Sequence, residues 1–304
     1  MIDSMDLARF AHTLRAQAPG GAETEVSLTL GATTIEAIKA LCKAMGLEDH
    51  TQDLSLFLRE ETGARILQTS DRPLELYLQQ VNIPDGLSPF LVRRLPQHTT
   101  NSSVTENSPY SFLAVAQGIE DYMRLPIPPS EDNVVEFASL RLLLDKDPLS
   151  PGVVAQNIER YIHPCIRSKR TAKDWDVLVL SRAKARGHPT VQTHRLFVEF
   201  IDSVDLTRME FFEATYLSPS DPVSVFLAVD SKALHIYDRE THNKLALHPL
   251  HSIHSWTVDV EHGKLEFLIA WRADKHMLTF MARQAYAIIS LIKYHVARAL
   301  EHIL

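Results

Sequence analysis

The chain has 304 residues, long for one small core, and its 45% hydrophobic and 23% charged residues are those of an ordinary globular protein that needs no covalent or metal staple. A net charge of −7 argues against indiscriminate nucleic-acid binding, which requires a basic footprint. The longest apolar runs, Val177–Leu180 and Ala285–Leu291, fall well short of the ~20 residues of a membrane span. No charged-then-apolar leader opens the sequence, so no secretory signal is expected. Cys42 and Cys165, each in an apolar stretch, are expected to be reduced packing residues of a cytosolic protein.

Residues 1–97 mix strands with one helix. Residues 7–14 supply either an opening strand or a short helix. Glu25–Leu30 alternates polar and apolar side chains, the period of a half-buried strand. Gly31-Ala-Thr-Thr34 then gives a turn and a Thr N-cap, with Glu36 early in the helix where it meets the dipole. Ile35, Ile38, Leu41, Cys42 and Met45 space as one apolar helix face, which Gly46 ends. Leu54–Leu58 and Ala64–Leu67 flank the charged turn Glu60–Gly63 as a hairpin, and Phe90–Leu95 closes the set. This order of elements is that of a ubiquitin-like fold.

Residues 98–207 follow a polar linker, Pro96–Pro109, that lacks apolar periodicity. Phe112, Val115, Ala116, Ile119 and Met123 recur at helical spacing, Pro126-Ile-Pro-Pro129 breaks the run, and Ser130-Glu-Asp-Asn caps a second helix carrying Val134, Phe137, Ala138, Leu140 and Leu144. Helical patterns over 151–162, 171–186 and 191–204 complete a bundle.

Residues 208–304 turn to strands: Phe211–Leu217, Val223–Val229, Ala233–Tyr237, Lys244–His248, Ile253–Val260, Lys264–Trp271 and Met277–Met281. Arg283–Ile303 ends the chain as an amphipathic helix with Tyr286, Ile289, Ile292, Val296, Leu300 and Ile303 on one side. Seven strands and a helix predict a sandwich or barrel corked at one end.

In the middle segment, Phe112–Leu142 reads Phe-Leu-Ala-Val-Ala-Gln-Gly-Ile-Glu-Asp-Tyr-Met-Arg-Leu-Pro-Ile-Pro-Pro-Ser-Glu-Asp-Asn-Val-Val-Glu-Phe-Ala-Ser-Leu-Arg-Leu. Together with Gly31-Ala-Thr-Thr-Ile-Glu-Ala37 and Phe226–Tyr237, it resembles the FERM module, most of all the FERM regions of myosin tails and of the calmodulin-regulated plant-type kinesin, with talin more distant. The resemblance covers nearly the whole chain and implies a multi-domain α+β protein. Its lobes would be ubiquitin-like (1–97), an acyl-CoA-binding-protein-like helical bundle (98–207), and a PH/PTB-like strand lobe with a C-terminal helix (208–304). It also implies a groove between the fifth strand of the last lobe and that helix, formed by His254, Ser255, Trp256 and Thr257 with Ile289 and Ile292, which accepts a peptide as an added strand. Trp256 as plain barrel core is the competing reading.

Chemistry-bearing motifs are sparse. No Gly-x-Ser-x-Gly, His-Glu-x-x-His, Gly-x-Gly-x-x-Gly or Gly-Lys-Ser/Thr phosphate loop occurs, so neither enzymatic activity nor a cofactor is expected. His248, His251 and His254 share a spacing of three, which sends alternate members of a strand to opposite faces and disfavours a metal site. Residues 167–186 hold seven Lys/Arg against two Asp. Arg167, Lys169, Arg170 and Lys173 form the candidate surface for phosphoinositide-containing membranes or an acidic partner, with a solvated bundle rim as the competing reading. Trp175, Leu178, Val179 and Leu180 between basic groups give the same stretch a faint calmodulin-target pattern.

The expectation is a non-enzymatic adaptor at the cytoskeleton or the inner face of the plasma membrane, joining lipids or cytoplasmic protein tails to cytoskeletal or motor proteins. The alternatives are the regulatory FERM portion of a larger enzyme and a structural cytoskeletal component.

Overall fold

The computed structural model describes residues 11–61, 63–79, 87–95, 108–187, 192–218, 220–259, 261–271 and 274–301. Two compact units emerge, one made of residues 1–95 with 209–304, the other of residues 96–208. The expected linker falls almost wholly outside the described residues.

The first unit opens with β1 (Ala11–Gln17) and β2 (Glu23–Thr29), so the first described element is a strand at 11–17; residues 7–10 of the expected 7–14 element lie outside the described residues. β1 buries Leu14 and Ala16 and turns Thr13 and Arg15 outward, where Arg15 meets Glu25 of β2 at 2.6 Å. Helix α1 (Thr34–Met45) buries Ala37, Ile38, Leu41 and Cys42. Ile35, expected on the same face, is 46% exposed, although its first-turn neighbours Thr34 and Ala37 are buried. Glu36 accepts from the backbone N–H and the hydroxyl of Thr33 at 2.8 Å each, closing orphan donors at the helix start.

β3 (Leu54–Glu60), β4 (Gly63–Ile66), a helix α2 (Pro73–Gln79) and β5 (Phe90–Arg94) follow. The sheet order is β2-β1-β5-β3-β4, with β5 parallel to β1 and antiparallel to β3. Sequence periodicity missed α2, which begins on a proline, is only two turns long, and carries Leu74, Leu76 and Leu78 at the alternate spacing of a strand.

A seven-stranded antiparallel sheet completes the unit: β6 (Glu210–Leu217), β7 (Pro222–Val229), β8 (Ala233–Asp238), β9 (Lys244–Pro249), β10 (Ile253–Asp259), β11 (Lys264–Trp271) and β12 (Asp274–Met281). Their order, β10-β11-β12-β6-β7-β8-β9, leaves β9 and β10 at the two ends. Gly263 turns β10 into β11 at φ +63°, and a Cβ there would meet the Ala282 carbonyl oxygen at 3.0 Å, so both backbone and space require glycine.

The C-terminal helix, here Ala285–Glu301, buries Ile288, Ile289, Leu291, Ile292, Tyr294 and His295. Its buried surface is broader than one amphipathic stripe because it serves two sheets. Phe57 and Ile66 of the first sheet belong to the same core as Leu227, Ile236, Phe267 and Phe280 of the second and Ile288 and Ile292 of the helix. Polar groups close the seam: Ser55 and Tyr294 hydroxyls hydrogen-bond at 2.8 Å, and the Gln68 amide donates to the Ser290 carbonyl at 2.9 Å.

The second unit is helical throughout: α3 (Pro109–Met123), α4 (Glu131–Leu144), two single-turn helices α5 (Val153–Gln156) and α6 (Ile158–Tyr161), α7 (Ala172–Arg186) and α8 (Thr193–Ser203). Of its caps, Ser130 is the one expected from sequence, and Ser108 is a second. Ser108 accepts from the Ser111 N–H and Ser130 from the Asn133 N–H. Gly118 of α3 lets α8 approach so closely that a Cβ would lie 3.1 Å from Ile201 and Phe197. Buried Asp176 of α7 accepts from the backbone N–H groups of Gly152 (2.8 Å), Val154 (2.9 Å) and Ala155 (3.3 Å), which pins the start of α5.

By the numbering in chain order, the helix Ala285–Glu301 is α9.

Candidate functional site

β10 is paired on one side only, to β11, so its other edge presents backbone N–H and C=O groups. The register slips by one residue between Ile253 and Ser255. Without that slip Ile253 and Trp256, three apart, would point to opposite faces; the extra residue at His254 turns both toward the core side. Accordingly Ile253 is buried, Trp256 and Val258 are half-buried, and His254, Ser255 and Thr257 are exposed. Trp256 therefore packs against the core and also lines a cavity.

That cavity, about 800 Å³, is bounded by Ile253 and Trp256, by Leu247 and Leu250 before them in sequence, and by Val296 and Leu300 of α9. Leu247 and Leu300 are 44% and 56% exposed, so the apolar lining continues onto the surface. The expected helix contributors, Ile289 and Ile292, lie elsewhere: at 2% and 0% exposure they belong to the core shared with the first sheet. A one-sided reading of α9 selects them; the two-sided packing of the helix moves the groove wall to Val296, Ala299 and Leu300.

Sequence reasoning also missed a polar corner of this cavity. Asp230, Lys232 and His235 line it with His251 and His295. Asp230 Oδ1 accepts from the N–H groups of Lys232 and Ala233, both at 2.7 Å, and Oδ2 accepts from the His235 ring N–H at 3.0 Å. Burial works to raise the Asp230 pKa, but the hydrogen bonds from His235 and the two amides outweigh it and hold the carboxyl below its usual range. The Val229-Asp-Ser-Lys232 turn is legible from sequence; the pairing with His235 is not, since it depends on how β7 turns into β8.

His248, His251 and His254 do not share a strand. His248 is in β9, His251 in a 3-10 turn and His254 at the bulge of β10, and no group of three metal-ligating side chains forms among the described residues.

The basic stretch sits on the helical unit. Arg167 and Lys169 lie in the 3-10 turn Pro164–Lys169, Arg170 follows it, and Lys173 is in the first turn of α7. Arg167 donates to the carbonyls of Ile162 (2.9 Å) and Glu159 (3.1 Å). Arg170 pairs with Glu131 at 2.7 Å and lies over the Trp175 ring. Further along α7, Arg182 pairs with Asp132 and Glu136, each at 2.8 Å, and Arg186 also meets Glu136. Lys169 and Lys173 are exposed, with no carboxylate at ion-pair distance among the described residues. Trp175, Val179 and Leu180, read as a possible calmodulin-type face, are buried in the bundle. Cys165 is exposed, against the packing role expected of it, while burial pushes the Cys42 thiol up to about 11.

A grasp-like sheet, a helical bundle and a seven-stranded sheet closed by a C-terminal helix are the fold of a FERM module, and comparison with solved structures agrees. The chain is similar to the human myosin 7b C-terminal MyTH4-FERM domain, solved in complex with the harmonin-a PDZ3 domain (14% identity, TM-score 0.74, covering 97% of this chain and 61% of that one). It is similar to the MyTH4-FERM MF2 domain, mutant 1, of Dictyostelium discoideum myosin VII (15% identity, TM-score 0.71, 95% and 60% covered) and to the FERM and C-terminal domain complex of Drosophila Merlin (14% identity, TM-score 0.67, 95% and 97% covered). The chain thus spans about three fifths of the myosin chains and nearly all of the Merlin one. No protein-family model and no curated protein matches the sequence. Among the described residues, no helix is long and apolar enough to cross a membrane.

Proposed function

We propose that the protein is a non-enzymatic adaptor of three lobes, residues 1–97, 98–207 and 208–304, that captures an extended segment of a partner protein along β10. The observation that carries this reading is the unpaired edge of β10 running beside an apolar cavity closed by α9. An added strand gains backbone hydrogen bonds from the edge and selectivity from side chains that enter the cavity. The myosin 7b neighbour, solved with a PDZ domain bound, supports protein partners as the class, and the myosin and Merlin neighbours support a cytoskeletal or motor setting. Phosphoinositide-bearing membranes are the second partner, met by Arg167, Lys169, Arg170 and Lys173.

Photo-crosslinking on the intact chain tests the groove. A crosslinker replacing exposed Ser255 or Thr257 traps a partner through a defined peptide, and one replacing Lys39 on exposed α1 does not. Equal trapping at all three positions would overturn the groove as the capture site.

A further inference from the structure

The cavity beside β10 is apolar, and of the two formally charged side chains among its described lining residues, Asp230 and Lys232, only Asp230 has close partners. Among the described residues Asp230 is the single carboxylate that lines it, and both of its oxygens are already engaged, by His235 and by the amides of Lys232 and Ala233. Lys232 also lines the cavity, and its exposed ammonium has no carboxylate at ion-pair distance among the described residues. His251 lines the same mouth and is exposed. The opposite end of β10 has the reverse sign: exposed Asp259 lies there, meeting His262 at 2.8 Å, with Glu261 beside it.

Resting on the groove reading above, we infer that the captured segment is an acidic peptide: a large apolar side chain fills the cavity, and an Asp or Glu next to it in the strand meets Lys232. An apolar anchor alone has no preference for direction along β10. The lysine at one end and the carboxylates at the other supply it, placing acidic residues of the peptide at the Lys232 end. Complementary charge at a partly exposed rim selects among partners more than it adds affinity.

The test is a selection of random twelve-residue peptides displayed on phage against the intact chain, run in parallel against Lys232→Glu and against a Leu247→Gln/Leu300→Gln double variant. The last removes the apolar lip without changing charge, and all its substituted positions are exposed, so the fold is retained. Peptides enriched on the unaltered chain should carry a large apolar residue flanked by Asp or Glu and be lost on the double variant. Lys232→Glu should weaken those same peptides by about tenfold and enrich Lys or Arg in their place. Enriched peptides that need Leu247 and Leu300 but show no acidic preference, or keep it with Lys232→Glu, would overturn the charge inference and leave the groove standing. Enrichment indifferent to the double variant would overturn the groove reading itself. Self-association of the free chain, or saturable binding of a fluorescent fatty acid, abolished by the double variant would name a different occupant and overturn the peptide inference.

Discussion

His163 is 1% exposed, and its imidazole is held down to about 4, first by burial and then by the nearby positive charge of Arg167. An unfolded histidine titrates near ~6.5, so between that pH and about 4 the unfolded chain binds a proton that the folded chain refuses. Stability contributed by neutral His163 is therefore complete above pH ~6.5 and is lost as pH falls through that window, by on the order of 3 kcal/mol. His163→Asn should flatten the fall in urea-melt stability between pH 7.5 and pH 5; an unchanged slope would show that other groups set it. Charge at the surface follows different accounting. Arg167 and Arg170 spend their guanidinium groups within the chain, whereas Lys169 and Lys173 do not. At roughly 1 kcal/mol per cation near an anionic surface, Lys169→Glu with Lys173→Glu should weaken phosphoinositide-liposome cosedimentation more than tenfold. Arg167→Gln with Arg170→Gln should weaken it less and cost stability instead, through two carbonyls left without their donor. The reverse ranking would return the stretch to a solvated rim.

Helix starts in this chain are written locally, and so were legible. Ser130 stands between a proline-rich break and two acidic residues, and its hydroxyl accepts from the Asn133 N–H at 3.2 Å. Ser130→Ala should cost about 1 kcal/mol in chemical denaturation, and Ser130→Asp almost nothing. Strands of the seven-stranded sheet were legible for the same reason, since alternation and turn residues lie within a few positions of each other. Features set by distant parts of the chain were less so. The α9 face was misjudged because one helix serves two sheets, so Ile289 and Ile292 are core while Tyr286 and Leu300 are exposed. The bulge at His254 inverts the facing of every later residue in β10, yet nothing in Ile253-His-Ser-Trp256 marks it. The partners of the basic stretch sit far away in sequence: Glu131, Asp132 and Glu136 neutralise cations some forty to fifty positions later.

At the scale of the whole molecule, the chain is divided in sequence differently from how it is divided in space. Residues 1–95 and 209–304 are separated by the helical segment, yet they make one unit with one core. Ile66 shows how: it is 2% exposed on β4 and packs in the same core as Phe57, the seven-stranded sheet and α9. Removing its side chain leaves a cavity in that common core, a change that costs about 2–5 kcal/mol for Ile→Ala. If the unit is one cooperative body, the loss is felt as far away as β11, because opening either sheet exposes the same apolar surface. Native-state hydrogen exchange of the intact Ile66→Ala variant measures this. The most protected amides of β3 and of β11 should lose protection by the same free energy, while those of α4 in the helical unit keep theirs. A loss confined to β3 and β4 would mean that the first sheet opens alone, and the shared core would then be a contact between two separately stable lobes.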